Sequence, residues 1–196
     1  MSIPAHHTDI EVAADAADAP FLLTANLAAA LAGSPTLPVF ACLGTDRSTG
    51  DALGPLVGER LLRAGCPPEL VLGTLEHPLH ALNLEERLRP LLAERPRRLV
   101  VAVDAALGPR ARVGRIGIRR GGLHPGKGIG KTMGPVGDIA VTATVNVATG
   151  ALDAEVLQST RLYFVRSLAD VIAEVCWSAI GASAEPTTSP AGAVAA

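Results

Sequence analysis

Aromatic side chains make up only 3% of this 196-residue chain, so any core must be built from Val, Leu, Ile and Ala. An excess of charge of either sign is also missing. Lys and Arg number 17 against 19 Asp and Glu, for a net charge of −2. That balance leaves no electrostatic footprint for nucleic acid or an anionic membrane, and a DNA-binding role is not expected. Cysteine is scarce. Cys42, Cys66 and Cys176 are scattered through apolar surroundings with no CxxC or Cys/His ligand spacing, the pattern of buried reduced thiols. The first residues carry His6, His7, Asp9 and Glu11 and no basic n-region, unlike a signal peptide. The apolar stretches stop short of a membrane span. The compartment expected from these absences is the cytoplasm.

What is present is aliphatic patterning. With 48% apolar residues the chain is large enough to bury one ordinary domain core. Residues 1–18, polar and rich in Ala and Asp, read as a flexible arm. Residues 19–180 read as a single α/β domain, and 181–196 as a disordered tail too polar to offset its ordering entropy. Within the domain, residues 38–43 (PVFACL) form a buried strand after a short helix over 21–31. A helix follows over 51–64, then a strand over 70–75, an amphipathic helix over 81–93 and the most apolar strand, 99–103 (LVVAV). Residues 113–118 alternate as a one-face strand does, 139–147 is a β-branched strand, and 153–180 a long helix. Alternating strands and helices imply a mostly parallel sheet of about five strands covered on both faces, an α/β/α arrangement. Sheets of this kind bind ligands outside the carboxyl ends of their strands.

Three segments fall at those ends. The first strand leads into Gly44-Thr45-Asp46-Arg47-Ser48-Thr49-Gly50-Asp51, a tight turn in which Asp51 opens a helix. Asp51 then has two readings: an N-cap for that helix, or a functional carboxylate. The third strand runs directly into Asp104, and a carboxylate closing an apolar run must be paired, hydrogen-bonded or protonated. On one sheet edge the two aspartates make a pair in which one pKa rises, giving an acid beside a base. Such a pair activates water, or holds a divalent metal with a third ligand. The third segment, residues 121–132 (GGLHPGKGIGKT), imitates a phosphate-binding P-loop, but Pro125 stands where the first glycine is required and no buried strand leads into it. It reads instead as a substrate-binding loop, with His124 as a polar group at its start. Glu76, His77 and His80 lack the HExxH spacing, and Pro78 prevents a helical pair. Asn146 and Asp138 are further polar groups assigned to these ends. Arg95, Arg97 and Arg98 precede the third strand and are expected to be solvated.

Taken together, GTDRSTGDALGPLVG (44–58), GTLEHPLHALNL (73–84), VAVDAALG (101–108), LHPGKGIGKTMGPVGDIAVTATVNV (123–147) and LQSTRL (157–162) closely resemble the YyaC family of sporulation proteins, described as candidate spore proteases. The chain is more distantly similar to the germination protease and the hydrogenase maturation endopeptidases. The resemblance implies a three-layer, phosphorylase/hydrolase-like fold of the hydrogenase maturation protease type. It implies a peptidase with Asp51 and Asp104 as catalytic residues. Thr45, Asp46, His124, Gly126, Gly128, Gly130 and Lys131 then bind a peptide or small spore protein, inside the sporulating cell or spore. Lys127 or Lys131 would steady the carboxylates or an oxyanion. No cofactor is required, though the maturation endopeptidases hold a metal at positions matching Asp51 and Asp104. Their third ligand, a histidine, falls near Thr132, where this chain has none, and the germination protease asparagine is Lys131 here. Two alternatives stay open: a non-catalytic sporulation protein that binds a peptide or partner in the acidic pocket, and a metal-dependent hydrolase of a small substrate. A homo-oligomer is compatible with all three.

Overall fold

The longest aliphatic runs lie side by side in the middle of one sheet. The computed structural model describes residues 9–93, 97–124 and 135–184. Its elements, in chain order, are β1 (Ile10–Ala13), α1 (Ala19–Leu31), β2 (Val39–Cys42), α2 (Leu53–Arg63), β3 (Val71–Leu72), α3 (Leu84–Ala93), β4 (Val100–Gly108), β5 (Arg115–Arg120), β6 (Ile139–Val147), α4 (Asp153–Ser159) and α5 (Leu162–Ala184). The six strands are ordered β1-β5-β6-β4-β2-β3. β3, β2, β4 and β6 are mutually parallel, whereas β5 and β1 close one side in antiparallel fashion. Every residue of β2 is buried, as a central parallel strand covered on both faces requires.

Alternation along the strands sorts side chains to two faces. Phe40, Cys42, Val101, Val103, Ile139, Val141, Ala143 and Val145 pack with the apolar sides of α1, α2 and α5. Ala41, Leu43, Val100, Ala102 and Ala140 turn the other way, onto Leu84 and Leu88 of α3 together with Leu79, Leu123 and Val136. The architecture is therefore α/β/α, with α1, α2 and α5 on one face and α3 on the other.

Several elements differ from the sequence reading. The sheet has six strands rather than about five, because Ile10–Ala13 is not part of a loose arm. Ile10 and Val12 face the core while Glu11 faces out to Arg115, which donates to its carboxylate at 2.8 Å and to its carbonyl at 2.9 Å. The long helix expected over 153–180 is two helices. Thr160 leaves helical geometry (ψ 138°), and its hydroxyl donates to the Val156 carbonyl at 2.8 Å while accepting from Asn146 Nδ2 at 3.1 Å. α5 continues to Ala184, beyond the expected domain end at 180. Residues 185–196 and 1–8 lie outside the described residues. Arg97 is not merely solvated: it makes a two-pronged pair with Asp138, at 3.0 and 2.5 Å. Asp138 also accepts the Val100 N–H at 2.8 Å, so it belongs to the amino end of β4, not to the carboxyl-end cluster.

Candidate functional site

The chain leaves β2 toward β3 on one side of the sheet and later enters β4 on the other. The order therefore reverses between β2 and β4, the place where open α/β sheets form their ligand crevice. β2 ends at Cys42, opposite Val103, and Leu43 still donates to the Val103 carbonyl at 2.7 Å. Asp104 is the next residue of β4, beyond the reach of β2. It is not the end of its strand, as the apolar pattern suggests. β4 runs on to Gly108 because β6 continues to pair with it, Asp104 opposite Thr142 and Ala106 opposite Thr144, with one irregularity after Ala106.

Asp51 reaches the same edge from the other direction. The amino end of α2 is pressed against the end of β2 so closely that a Cβ at Gly54 would overlap the Leu43 carbonyl oxygen. A Cβ at Gly44 would overlap the Asp51 carbonyl oxygen, and Gly44 has φ +136°, a conformation open to glycine and strained for any other residue. These two glycines thus bring the Asp51 backbone onto the tip of β2. The N-cap reading of Asp51 does not hold. The helix begins at Leu53 with Ala52 at its cap, and no side chain caps it. The structural reason for a carboxylate at 51 therefore disappears.

The two carboxyl groups feel each other. Asp104 is pushed up to about 7, first by burial and then by the charge of Asp51, while the Ala105 N–H, donating at 2.9 Å, pulls in the opposite direction. Burial also raises Asp51. Around neutral pH the pair therefore sits near the point where one proton is held between two carboxylates, an acid beside a base.

The remaining sequence-derived candidates divide. Thr45 lies beside Asp51: its N–H donates to the Asp51 carbonyl at 3.3 Å and its hydroxyl accepts the Arg47 N–H at 3.3 Å. Asp46 is exposed on the same turn. His124 is exposed next to Leu123, which bridges to Val136 on the α3 face, and makes no hydrogen bond or ion pair to either aspartate. Gly126, Gly128, Gly130 and Lys131, with Lys127 and Thr132, lie outside the described residues. Among the described residues no group of three His, Cys, Asp or Glu is arranged to hold a metal ion. All three cysteines are free and buried; burial first, then the neighbouring thiols Cys176 and Cys66, raises Cys42, and burial followed by Cys66 raises Cys176. No described helix is long and apolar enough to cross a membrane.

Two features were less visible in the sequence. Leu79 pairs with Leu43 and its carbonyl accepts the Gly44 N–H at 2.8 Å, which brings the 73–83 segment onto the site's flank. There the buried His80 Nδ1 and, on the neighbouring turn, Ser48 Oγ have no hydrogen-bond partner among the described residues. Thr142 and Thr144 lie on the face of β6 that Asp104 occupies on β4; their period-two alternation with Val141, Ala143 and Val145 was the available signal.

Residues 14–175 match the family described as "Protein of unknown function (DUF1256)". A relative in Bacillus subtilis (strain 168), named "Uncharacterized protein YyaC", is 42% identical over 168 residues, covering 86% of this chain and 78% of the relative. The family match spans both aspartate segments and strands β2 to β6. The chain belongs to the DUF1256 family, alongside YyaC.

Proposed function

We propose that this protein is a peptidase whose aspartate pair, Asp51 and Asp104, hydrolyses a peptide bond. The observation that carries the reading is the pair itself. Two carboxylates stand at the switch point of the sheet, one of them raised to about 7 by burial and by its neighbour's charge, and neither is consumed by a structural task such as capping. In the proposed reaction Asp51, the more readily ionised member, takes a proton from the attacking water. Asp104, which keeps its proton until pH rises through about 7, donates to the carbonyl oxygen or the departing amine. The proposed substrate is a peptide or small spore protein, cleaved in the cytoplasm of a sporulating cell or in the spore interior. That part rests on the family resemblance.

The test is cleavage of a mixed peptide library and of extracted spore proteins by the purified chain, with added divalent metal and with chelator as separate arms. Asp51→Asn and Asp104→Asn are each expected to lower turnover by about 10²–10⁴-fold while keeping the native circular dichroism spectrum. Because Asp104 acts as the protonated acid, kcat/KM falls as pH rises through about 7. Normal turnover by either variant would rule the mechanism out.

A further inference from the structure

Gly117 is an unexplained glycine. It lies inside β5, paired with Thr142 of β6 on one side and Glu11 of β1 on the other. Its φ is not positive, and a Cβ there would meet only Thr142 Oγ1 at 3.5 Å and the Ile10 carbonyl oxygen at 3.6 Å, which are ordinary contacts. Neither backbone conformation nor packing therefore demands glycine. A glycine inside a strand weakens it, and one common reason for its presence is the close approach of a ligand or another backbone.

What that glycine leaves clear is Thr142. Pairing puts Asp104, Thr142 and Gly117 in one row across three adjacent strands, at about 4.8 Å per strand, and in-register neighbours share a face. The flanking residues confirm the sorting: Ala102 and Ala140 turn to the α3 face, whereas Val103 and Val141 turn to the opposite one. The Thr142 side chain is half-buried, and its hydroxyl makes no hydrogen bond to any described residue, Asp104 included. A hydroxyl beside the acid of the pair, flanked by a position without a side chain, thus spends no hydrogen bond on the described residues.

We propose that the row Asp104–Thr142–Gly117 seats the substrate's main chain, with Thr142 Oγ1 hydrogen-bonding a peptide group next to the scissile bond and Gly117 supplying the clearance. The substrate class rests on the peptidase reading; the seat itself rests on the row. Two substitutions separate its parts. Thr142→Val keeps shape and strand preference but removes the hydroxyl, and is expected to lower kcat/KM about tenfold, mainly through KM. Thr142→Ser restores most of it. Gly117→Val fills the clearance. It is expected to leave the denaturation midpoint equal to or above that of the parent while raising KM at least tenfold, a combination that a merely structural glycine would not produce.

The direct test does not require turnover. Isotope-labelled Asp104→Asn protein is titrated with a mixed-sequence hexapeptide library and followed by NMR. The Thr142 methyl and Gly117 amide signals are expected to shift, and Gly117→Val in the same background should weaken the effect at least tenfold. Shifts confined to other residues, or no shifts, overturn the proposed seat. If these signals shift but the parent chain cleaves nothing, the seat stands and the peptidase reading falls. If the chain cleaves but both substitutions leave kcat/KM unchanged, the reverse holds.

Discussion

The two faces of the sheet are built to different standards. On one, α1, α2 and α5 cover the strands with an unbroken aliphatic layer that includes fully buried Leu23, Leu27, Leu53, Leu61 and Leu168. On the other, among the described residues, α3 contributes Leu84, Leu88 and the partly buried Leu91, joined by Leu79, Leu123 and Val136 on connecting segments. Along β4 and β6 this thinner face changes character. Ala102 opposite Ala140 gives way within two residues to Asp104 opposite Thr142. The contrast teaches that the thick face supplies stability while the thin one leaves a partly buried carboxyl within reach of a ligand. A site on the thick face would have to open a close-packed core.

The largest expected effect is in packing. Leu27→Ala, in the thick layer, should destabilise the protein by about 3–4 kcal/mol, because its surroundings are held by α5 and the strands β1 and β5 and relax little. Leu88→Ala, in the thin layer, should cost about 2 kcal/mol, since neighbouring connections can close the space. Chemical denaturation midpoints with unchanged m values provide the measurement. Equal losses would show that the thin face is as rigidly packed as the thick one.

The next effect belongs to the carboxyl end of the thin face. Asp104 rises from its ordinary value of 3.8 to about 7 in the folded protein. A carboxyl raised on folding binds more protons in the native state between those values. Its contribution is therefore intact below about pH 4 and is lost as pH climbs through 7, by an amount on the order of 2–4 kcal/mol. Asp104→Asn should remove this loss, so the variant gains on the parent between pH 5 and pH 8 in parallel denaturation series. A parent and variant with parallel pH profiles would mean that Asp104 is solvated and unremarkable.

Much of this division was legible in the residues. The runs at 38–43, 99–103 and 139–147 became β2, β4 and β6, and α2 appeared where its leucine spacing put it. What escaped shares one cause: the decisive information lies in a partner element. β1 is only four residues long, too short for alternation to be convincing, and owes its place to β5 and to Arg115. The end of β4 is set by the length of β6, so Asp104 could not be recognised as an interior strand residue from Leu99–Val103 alone. The division of α4 from α5 has no proline or glycine to announce it; it depends on Thr160 meeting Asn146 across space. Asp51 invited a capping assignment because Asp is common at helix starts, whereas the real start lies two residues later.

The smallest expected effect contrasts two ends of the same sheet through their carboxylates. At the amino end, Asp138 is fully engaged: two Arg97 nitrogens and the Val100 N–H satisfy its oxygens, and its own N–H donates to the Val100 carbonyl at 2.7 Å. At the carboxyl end, Asp104 has one backbone donor and a like charge nearby. The first arrangement fixes β6 to β4; the second withholds satisfaction and so keeps a proton available. Arg97→Ala should therefore cost only about 0.5–1 kcal/mol, since the pair is partly exposed and Asp138 keeps its Val100 bond. The loss should shrink at high salt as screening weakens the pair in the parent. Cleavage should be unaffected, because the substitution touches the end of the sheet remote from the aspartate pair. A drop in turnover without a matching loss of stability would mean that the two ends are coupled through the register of β4 and β6. In that case the amino-end clamp would be part of what positions Asp104.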